Sequence, residues 1–138
     1  MKVHIDFKVR PATLADAPYV AASIADHLKE REGVEISEMR RDKILASVLR
    51  WLLEGSSMIH VAVLEKYGKE RIIGVIAFDL VDDPYSDDLG VLVRNVYVAR
   101  HYRNGEVERR LGASVLAASE ALGASDISVM EPMRAGEL

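Results

Sequence analysis

Between residues 91 and 122 the apolar period of the chain changes once, and that change limits what the chain can fold into. Val91-Leu92-Val93-Arg94-Asn95-Val96-Tyr97-Val98 is nearly continuous in apolar residues, as a central strand is. Val107, Leu111, Val115, Ala118 and Leu122 then recur at helical spacing. Arg103-Asn104-Gly105 lies between the two patterns. A strand, an arginine/glycine turn and a helix start leave backbone N–H groups pointing out of the turn. The helix dipole adds about half a positive charge there, so the arrangement suits an anion. Asn104 is a natural N-cap, and acidic residues in the first turn complement the dipole. Residues 127–130 read as a last short strand, so 91–130 predicts a right-handed βαβ crossover.

Upstream, Val3, Ile5, Phe7 and Val9 alternate with polar residues as a strand with one wet face, ended by Pro11. Thr13-Leu14-Ala15-Asp16 has the form of a capping box. The stripe Ala17, Val20, Ala21, Ile24 and Leu28 follows, and Pro18 requires that helix to start close by. Ser37 predicts the next N-cap. Ile44, Leu45, Val48, Leu49, Leu52 and Leu53 give that second helix a wide apolar face, and Gly55 stops it. Residues 58–64 and 72–80 read as strands joined by a turn at Lys66-Tyr67-Gly68-Lys69. The element order is β-α-α-β-β-β-α-β.

The whole chain, 138 residues, suits one domain with a real core. Its 22 acidic residues outnumber 18 basic ones, for a net charge of −4, which disfavours a general nucleic-acid binder. With no cysteine, thiolate chemistry and Cys-type metal sites are excluded. His4, His27, His60 and His101 have no metal-ligand spacing, and no metal site is expected. His60, on an apolar strand, reads as a packed residue. Ser56-Ser57 lacks the partners of a nucleophile. No apolar run approaches a membrane span, and no leader is apparent, so a cytoplasmic location is expected.

Three stretches carry a family resemblance. Val9-Arg10-Pro11-Ala12-Thr13-Leu14-Ala15-Asp16-Ala17 is like an opening strand and helix start. Ile73-Gly74-Val75-Ile76-Ala77-Phe78 is like a "G-x-x-x" strand. Val96-Tyr97-Val98-Ala99-Arg100-His101-Tyr102-Arg103-Asn104-Gly105 is like a strand entering a cofactor loop. With the element order, they resemble the GCN5-related N-acetyltransferase (GNAT) family over nearly the whole chain. The resemblance implies an α/β (α+β) fold: one domain, 1–138, with a mixed, mostly antiparallel sheet flanked by helices. The family's final helix and strand are expected to be absent, leaving a sheet edge that a second copy could complete as a homodimer.

The resemblance also implies acetyl-CoA as cosubstrate. The family's pyrophosphate signature, Q/R-x-x-G-x-G/A, falls on Arg103-Asn104-Gly105-Glu106-Val107-Glu108. Both small-residue positions hold glutamate, Glu106 and Glu108. Each carboxylate beside a diphosphate costs on the order of 1 kcal/mol in water at roughly 4 Å. Arg100, Arg103, Arg109, Arg110 and His101 are available to offset it. The implied cofactor residues are Val96 and Val98, through a strand bulge whose backbone amides hold the pantetheine arm, and Arg103, Asn104, Gly105, Glu106, Val107, Glu108 and Arg109 at the diphosphate.

The implied reaction is direct attack of an amine on the thioester. Where the family often places a basic glutamate, this chain has Arg94 and Asn95. Asn95 is a candidate for orienting the acceptor. Asp79, Asp82 and Asp83 are substitute bases. No tyrosine follows Tyr102, so the family's general acid is missing, with Tyr85, Tyr97 and Tyr102 as positional substitutes. Acidic residues 79, 82, 83, 87 and 88, with Glu30, Glu32, Glu35 and Glu38, would draw a cationic amine, either small or carried on a protein. The expected function is N-acetyl transfer to a primary amine. The alternative is a non-catalytic module of this fold that binds coenzyme A or a protein.

Overall fold

Alternating burial along three central strands sorts the core onto two faces of one sheet. The structure, a computed structural model, describes residues 6–55, 58–82, 89–123 and 126–127. The elements are β1 (Lys8–Pro11), α1 (Ala17–Glu32), α2 (Glu38–Glu54), β2 (Met58–Lys66), β3 (Lys69–Asp82), β4 (Leu89–Val98), α3 (Glu106–Ala121) and β5 (Asp126–Ile127). Single 3-10 turns precede α1 and α3. The five strands lie in sequence order. β1 to β4 are antiparallel, and β5 runs parallel to β4 after the α3 crossover. The expected mixed, mostly antiparallel sheet and element order are therefore observed. The expected strand residues 3–5 and 128–130, Ser56-Ser57, the acidic stretch 83–88 with Tyr85, and the C-terminal edge lie outside the described residues.

Helices α1 and α2 cover one face. Ala17, Val20, Ala21 and Val48 pack there against Ile59, Val61, Val63, Val75 and Ala77. Helix α3 covers the other, where Val107, Leu111 and Val115 meet Ala62, Ile76, Phe78, Val91, Val93 and Val98. His60 is buried on the α3 side, with Nδ1 hydrogen-bonded to Ser114 Oγ and its ring edge-on to Phe78 at 5.1 Å. Burial holds that imidazole below its ordinary pKa.

The local signals form as their residues dictate. Pro18 lies in the first turn of α1. Ser37 Oγ accepts from Arg40 N–H at 3.2 Å, capping α2, and Gly55 ends it with a left-handed φ of 65°. Tyr67 and Gly68 take φ of 55° and 72° in the β2–β3 hairpin, as a two-residue turn between twisted strands requires. Asp16 closes the capping box on Thr13 N–H at 2.7 Å and receives Arg10 Nη1 at 2.7 Å, which ties β1 to the start of α1.

Two close features place the turn before α3. A Cβ on Gly74 would lie 2.8 Å from Val107 Cγ1 and 3.1 Å from Leu111 Cδ1, so only glycine lets α3 settle this near β3. In β4, Asn95 faces Ala77 while Val93 faces Phe78, which leaves Arg94 as one surplus residue, a β-bulge. The bulge switches the alternation. Val91 and Val93 before it and Val98 after it all face the α3 core. Asn95 and Tyr97 are turned to the α1 side, where they meet His27 and Glu30.

Candidate functional site

A cleft of about 410 Å³ opens beside the downstream half of β4. It is lined by His27, Glu30 and Arg31 of α1, Val96, Tyr97 and Val98 of β4, Arg103 of the turn and Glu108 of α3. Its floor is a strand edge. Ala99 N–H donates to Ile73 C=O at 2.8 Å, toward β3. Pleat alternation therefore turns the backbone groups of Val96 and Val98 to the opposite edge. Arg103 Nε donates to Val98 C=O at 2.8 Å from that side. The described pairing of β4 with β5 covers only Gly90 and Val91. Among the described residues, no strand covers the edge at Val96 and Val98. Val96 is 39% exposed there.

The turn 103–105 closes one end. Gly105 takes φ of 91° as the N-cap of α3, and Asn104 Oδ1 accepts from Glu106 N–H at 3.0 Å. The cap is therefore one residue later than expected, with Asn104 still supplying the acceptor. A left-handed cap favours glycine, and Asn104 reaches past it. Arg109 N–H donates to Gly105 C=O at 3.0 Å. The amides before it in the first turn have no intrahelical acceptor by geometry.

Charges in the cleft are largely paired. Arg103 Nη2 lies 2.9 and 2.7 Å from the two oxygens of Glu30. Tyr97 O–H donates to the same carboxylate at 3.2 Å, and the guanidinium sits 5.3 Å from the Tyr97 ring centre. Arg103 holds the Glu30 carboxyl below its ordinary pKa. Burial, then Glu30, pushes the Tyr97 phenol up, so it keeps its proton at neutral pH. Arg109 binds Glu106 at 2.6 Å. Glu108 Oε2 is buried with no hydrogen-bond partner among the described residues. Arg110 turns away, with Nη1 donating to Phe7 C=O at 2.8 Å and its guanidinium 4.0 Å from the Phe7 ring centre.

The geometry brings together Glu30, Asn95, Val96, Tyr97, Val98, Arg103 and Glu108 from the residues singled out in the sequence. Asn95 Oδ1 lies 2.8 Å from His27 Nδ1, and Asn95 Nδ2 is buried without a described partner. Asp79 accepts from Arg94 Nε at the bulge and is not among the cleft-lining residues. Tyr102 packs against the α3-side core. His27 and Arg31 were not singled out. Their only sequence signal is a shared face of α1 with Glu30. No cluster of metal-ligating residues is present among the described residues. No described helix is long and apolar enough to cross a membrane.

No protein-family model and no curated protein matches the sequence. Solved structures do match. A possible acetyltransferase from Clostridium difficile 630 superposes with a TM-score of 0.75 at 17% identity, over 96% of this chain and 82% of that one. A GNAT family acetyltransferase from Staphylococcus aureus gives a TM-score of 0.73 at 12% identity, over 97% of this chain and 93% of that one. This chain has the GNAT fold. A third match is an aminoglycoside acetyltransferase from an uncultured soil metagenomic sample, in complex with sisomicin. Its TM-score is 0.69 at 16% identity, over 90% of this chain and 76% of that one.

Proposed function

We propose that the chain is an acyl-coenzyme A-dependent N-acetyltransferase acting on a primary amine. One observation carries the reading. After the bulge at Arg94, the backbone groups of Val96 and Val98 lie on an edge that no described strand covers, beside the glycine-capped start of α3. An extended amide-bearing arm can add to such an edge as a strand would. Val96 and Val98 would hold the pantetheine. Arg103, Asn104, Gly105, Glu106, Val107, Glu108 and Arg109 surround the position for the diphosphate, with backbone amides and Arg103 as donors. Bound acetyl-CoA supplies the activated thioester. Asn95 Nδ2 is a buried donor available to orient the acceptor. Tyr97, protonated and lining the cleft, is a candidate donor to the leaving sulfur. Asp79 could serve as base only on release from Arg94. Glu30, exposed once Arg103 turns to the diphosphate, favours a cationic acceptor.

The test is thermal unfolding with and without millimolar acetyl-CoA, followed by thiol release with a panel of primary amines. Ligand at about 100 times its dissociation constant should stabilise by roughly 2.7 kcal/mol, several degrees for this size. No stabilisation at saturation rejects the reading. The second reading, a coenzyme A-binding or protein-binding module without turnover, is favoured by Glu108, whose buried carboxylate oxygen in the first turn of α3 has no partner among the described residues. It predicts no thiol release with any amine.

A further inference from the structure

Strand β4 carries no free carboxylate facing the cleft to take a proton from an ammonium. Arg94 is ion-paired with Asp79, and the next residue is Asn95. The side chain that Asn95 holds is His27. Its Nδ1 lies 2.8 Å from Asn95 Oδ1, and its ring stacks on Tyr97 at 5.6 Å and 24°. His27 lines the same cleft as Val96 and Val98. An amide oxygen can only accept, so Nδ1 carries the proton and the neutral ring keeps its lone pair on Nε2. Two contacts, one polar and one stacked, thus fix both the tautomer and the plane of the ring.

We infer that His27 is the general base of the acyl transfer and Asn95 its positioning residue. The inference rests on the N-acetyltransferase reading. Nε2 takes one proton from the acceptor ammonium. The N–H bond breaks, its electron pair becomes the amine lone pair, and an Nε2–H bond forms. The amine then forms its bond to the acyl carbon as the carbon–sulfur bond breaks with its electron pair on sulfur. Tyr97 O–H protonates that sulfur and is restored by the second proton lost by nitrogen, and His27 returns the first to water. Asn95 Oδ1 stays hydrogen-bonded to Nδ1–H throughout, so the imidazolium keeps its partner. Glu30 and Arg31 on α1, Tyr97 on β4, Arg103 in the turn and Glu108 on α3 are the ionisable groups that line the cleft with His27.

Nitrogen-15 NMR of imidazole-labelled protein tests the positioning without any ligand. The wild-type His27 should show protonated Nδ1 and bare Nε2. Asn95→Asp should keep that tautomer, and Asn95→Leu should lose it in favour of Nε2–H. A wild-type ring protonated on Nε2 overturns the assignment. His27→Gln should retain the stabilisation by acetyl-CoA and lose about 10²–10⁴-fold in single-turnover acetyl transfer at pH 7. The loss should shrink as pH rises toward the amine's own pKa, and added imidazole should restore part of the rate. Stabilisation with unchanged turnover in His27→Gln overturns this inference alone. No stabilisation of the wild type overturns the transferase reading with it.

Discussion

Glu30 of α1 and Arg103 of the turn before α3 are bound to each other across 73 residues of sequence, with Arg103 Nη2 in contact with both carboxylate oxygens. The guanidinium that the resemblance assigns to a diphosphate is thus already partnered by an anion of the chain itself. Glu30→Gln should leave Arg103 less occupied and tighten coenzyme A binding, by at most about fivefold, because the pair is partly solvated. Isothermal titration of coenzyme A into both proteins checks this. Weaker binding in the variant would mean that Glu30 aims Arg103 instead of competing for it.

The two glutamates of the first turn of α3 should not behave alike. Glu106 is neutralised by Arg109, whereas Glu108 Oε2 is buried without a described partner. Glu108→Gln should tighten coenzyme A binding about fivefold, the effect of removing one repulsion on the order of 1 kcal/mol. Glu106→Gln should change it less. The same titration, repeated at high salt, should shrink both effects. A larger gain from Glu106→Gln would reverse the assignment.

Acid should loosen the contact between β1 and α1. Arg10, then the Thr13 amide, holds the Asp16 carboxyl below its ordinary value of 3.8. A depressed carboxyl contributes its stability fully above the unfolded-state pKa and loses it as pH falls through 3.8 toward the folded value. Asp16→Asn should cost about 1–3 kcal/mol at pH 7, since Arg10 and the Thr13 N–H lose a charged acceptor. It should also flatten the decline in stability below about pH 4. Urea unfolding from pH 2 to pH 7 measures both, and an unchanged acid limb would assign the acid sensitivity elsewhere.

Gly74→Ala tests how the turn is placed. The added methyl would start 2.8 Å from Val107 Cγ1, so α3 must shift or Val107 must change rotamer. The expected destabilisation is about 1–3 kcal/mol. Because Val107 lies in the first turn of α3, two residues after Gly105, the stabilisation by acetyl-CoA should fall as well. A neutral change in urea unfolding would show that Val107 yields easily and that the close approach does not place α3.

Much of the frame was legible because its signals are local. Ser37, Gly55 and the Tyr67-Gly68 pair each mark a boundary through their own backbone or side chain, and each stands where expected. Even the bulge left a trace. The valines of β4 fall at 91, 93, 96 and 98, with one step of three among steps of two. The nearly continuous apolar character of the strand masks that step. The cleft was less legible. His27 meets Asn95 across 68 residues, and Glu30 meets Arg103 across 73. Periodicity tells which side chains share a face of α1 but not which strand lies opposite. Position 95 read as a missing carboxylate because its partner histidine is on another element.

The surplus residue at Arg94 also divides β4 into two independently variable halves. Upstream of it, a change at Val91 or Val93 is felt only by the packing beneath α3. Downstream, Asn95 and Tyr97 look toward α1 while Val98, between β4 and the turn, keeps hold of that packing. Substitutions at positions 95 and 97 therefore act on the α1 side of the cleft, through His27 and Glu30, without disturbing the hydrophobic anchor beside them. A deletion of Arg94 would bring Val93 and Asn95 into one regular ladder against Phe78 and Ala77, leaving every side chain on its present face and removing only the bend of the bulge.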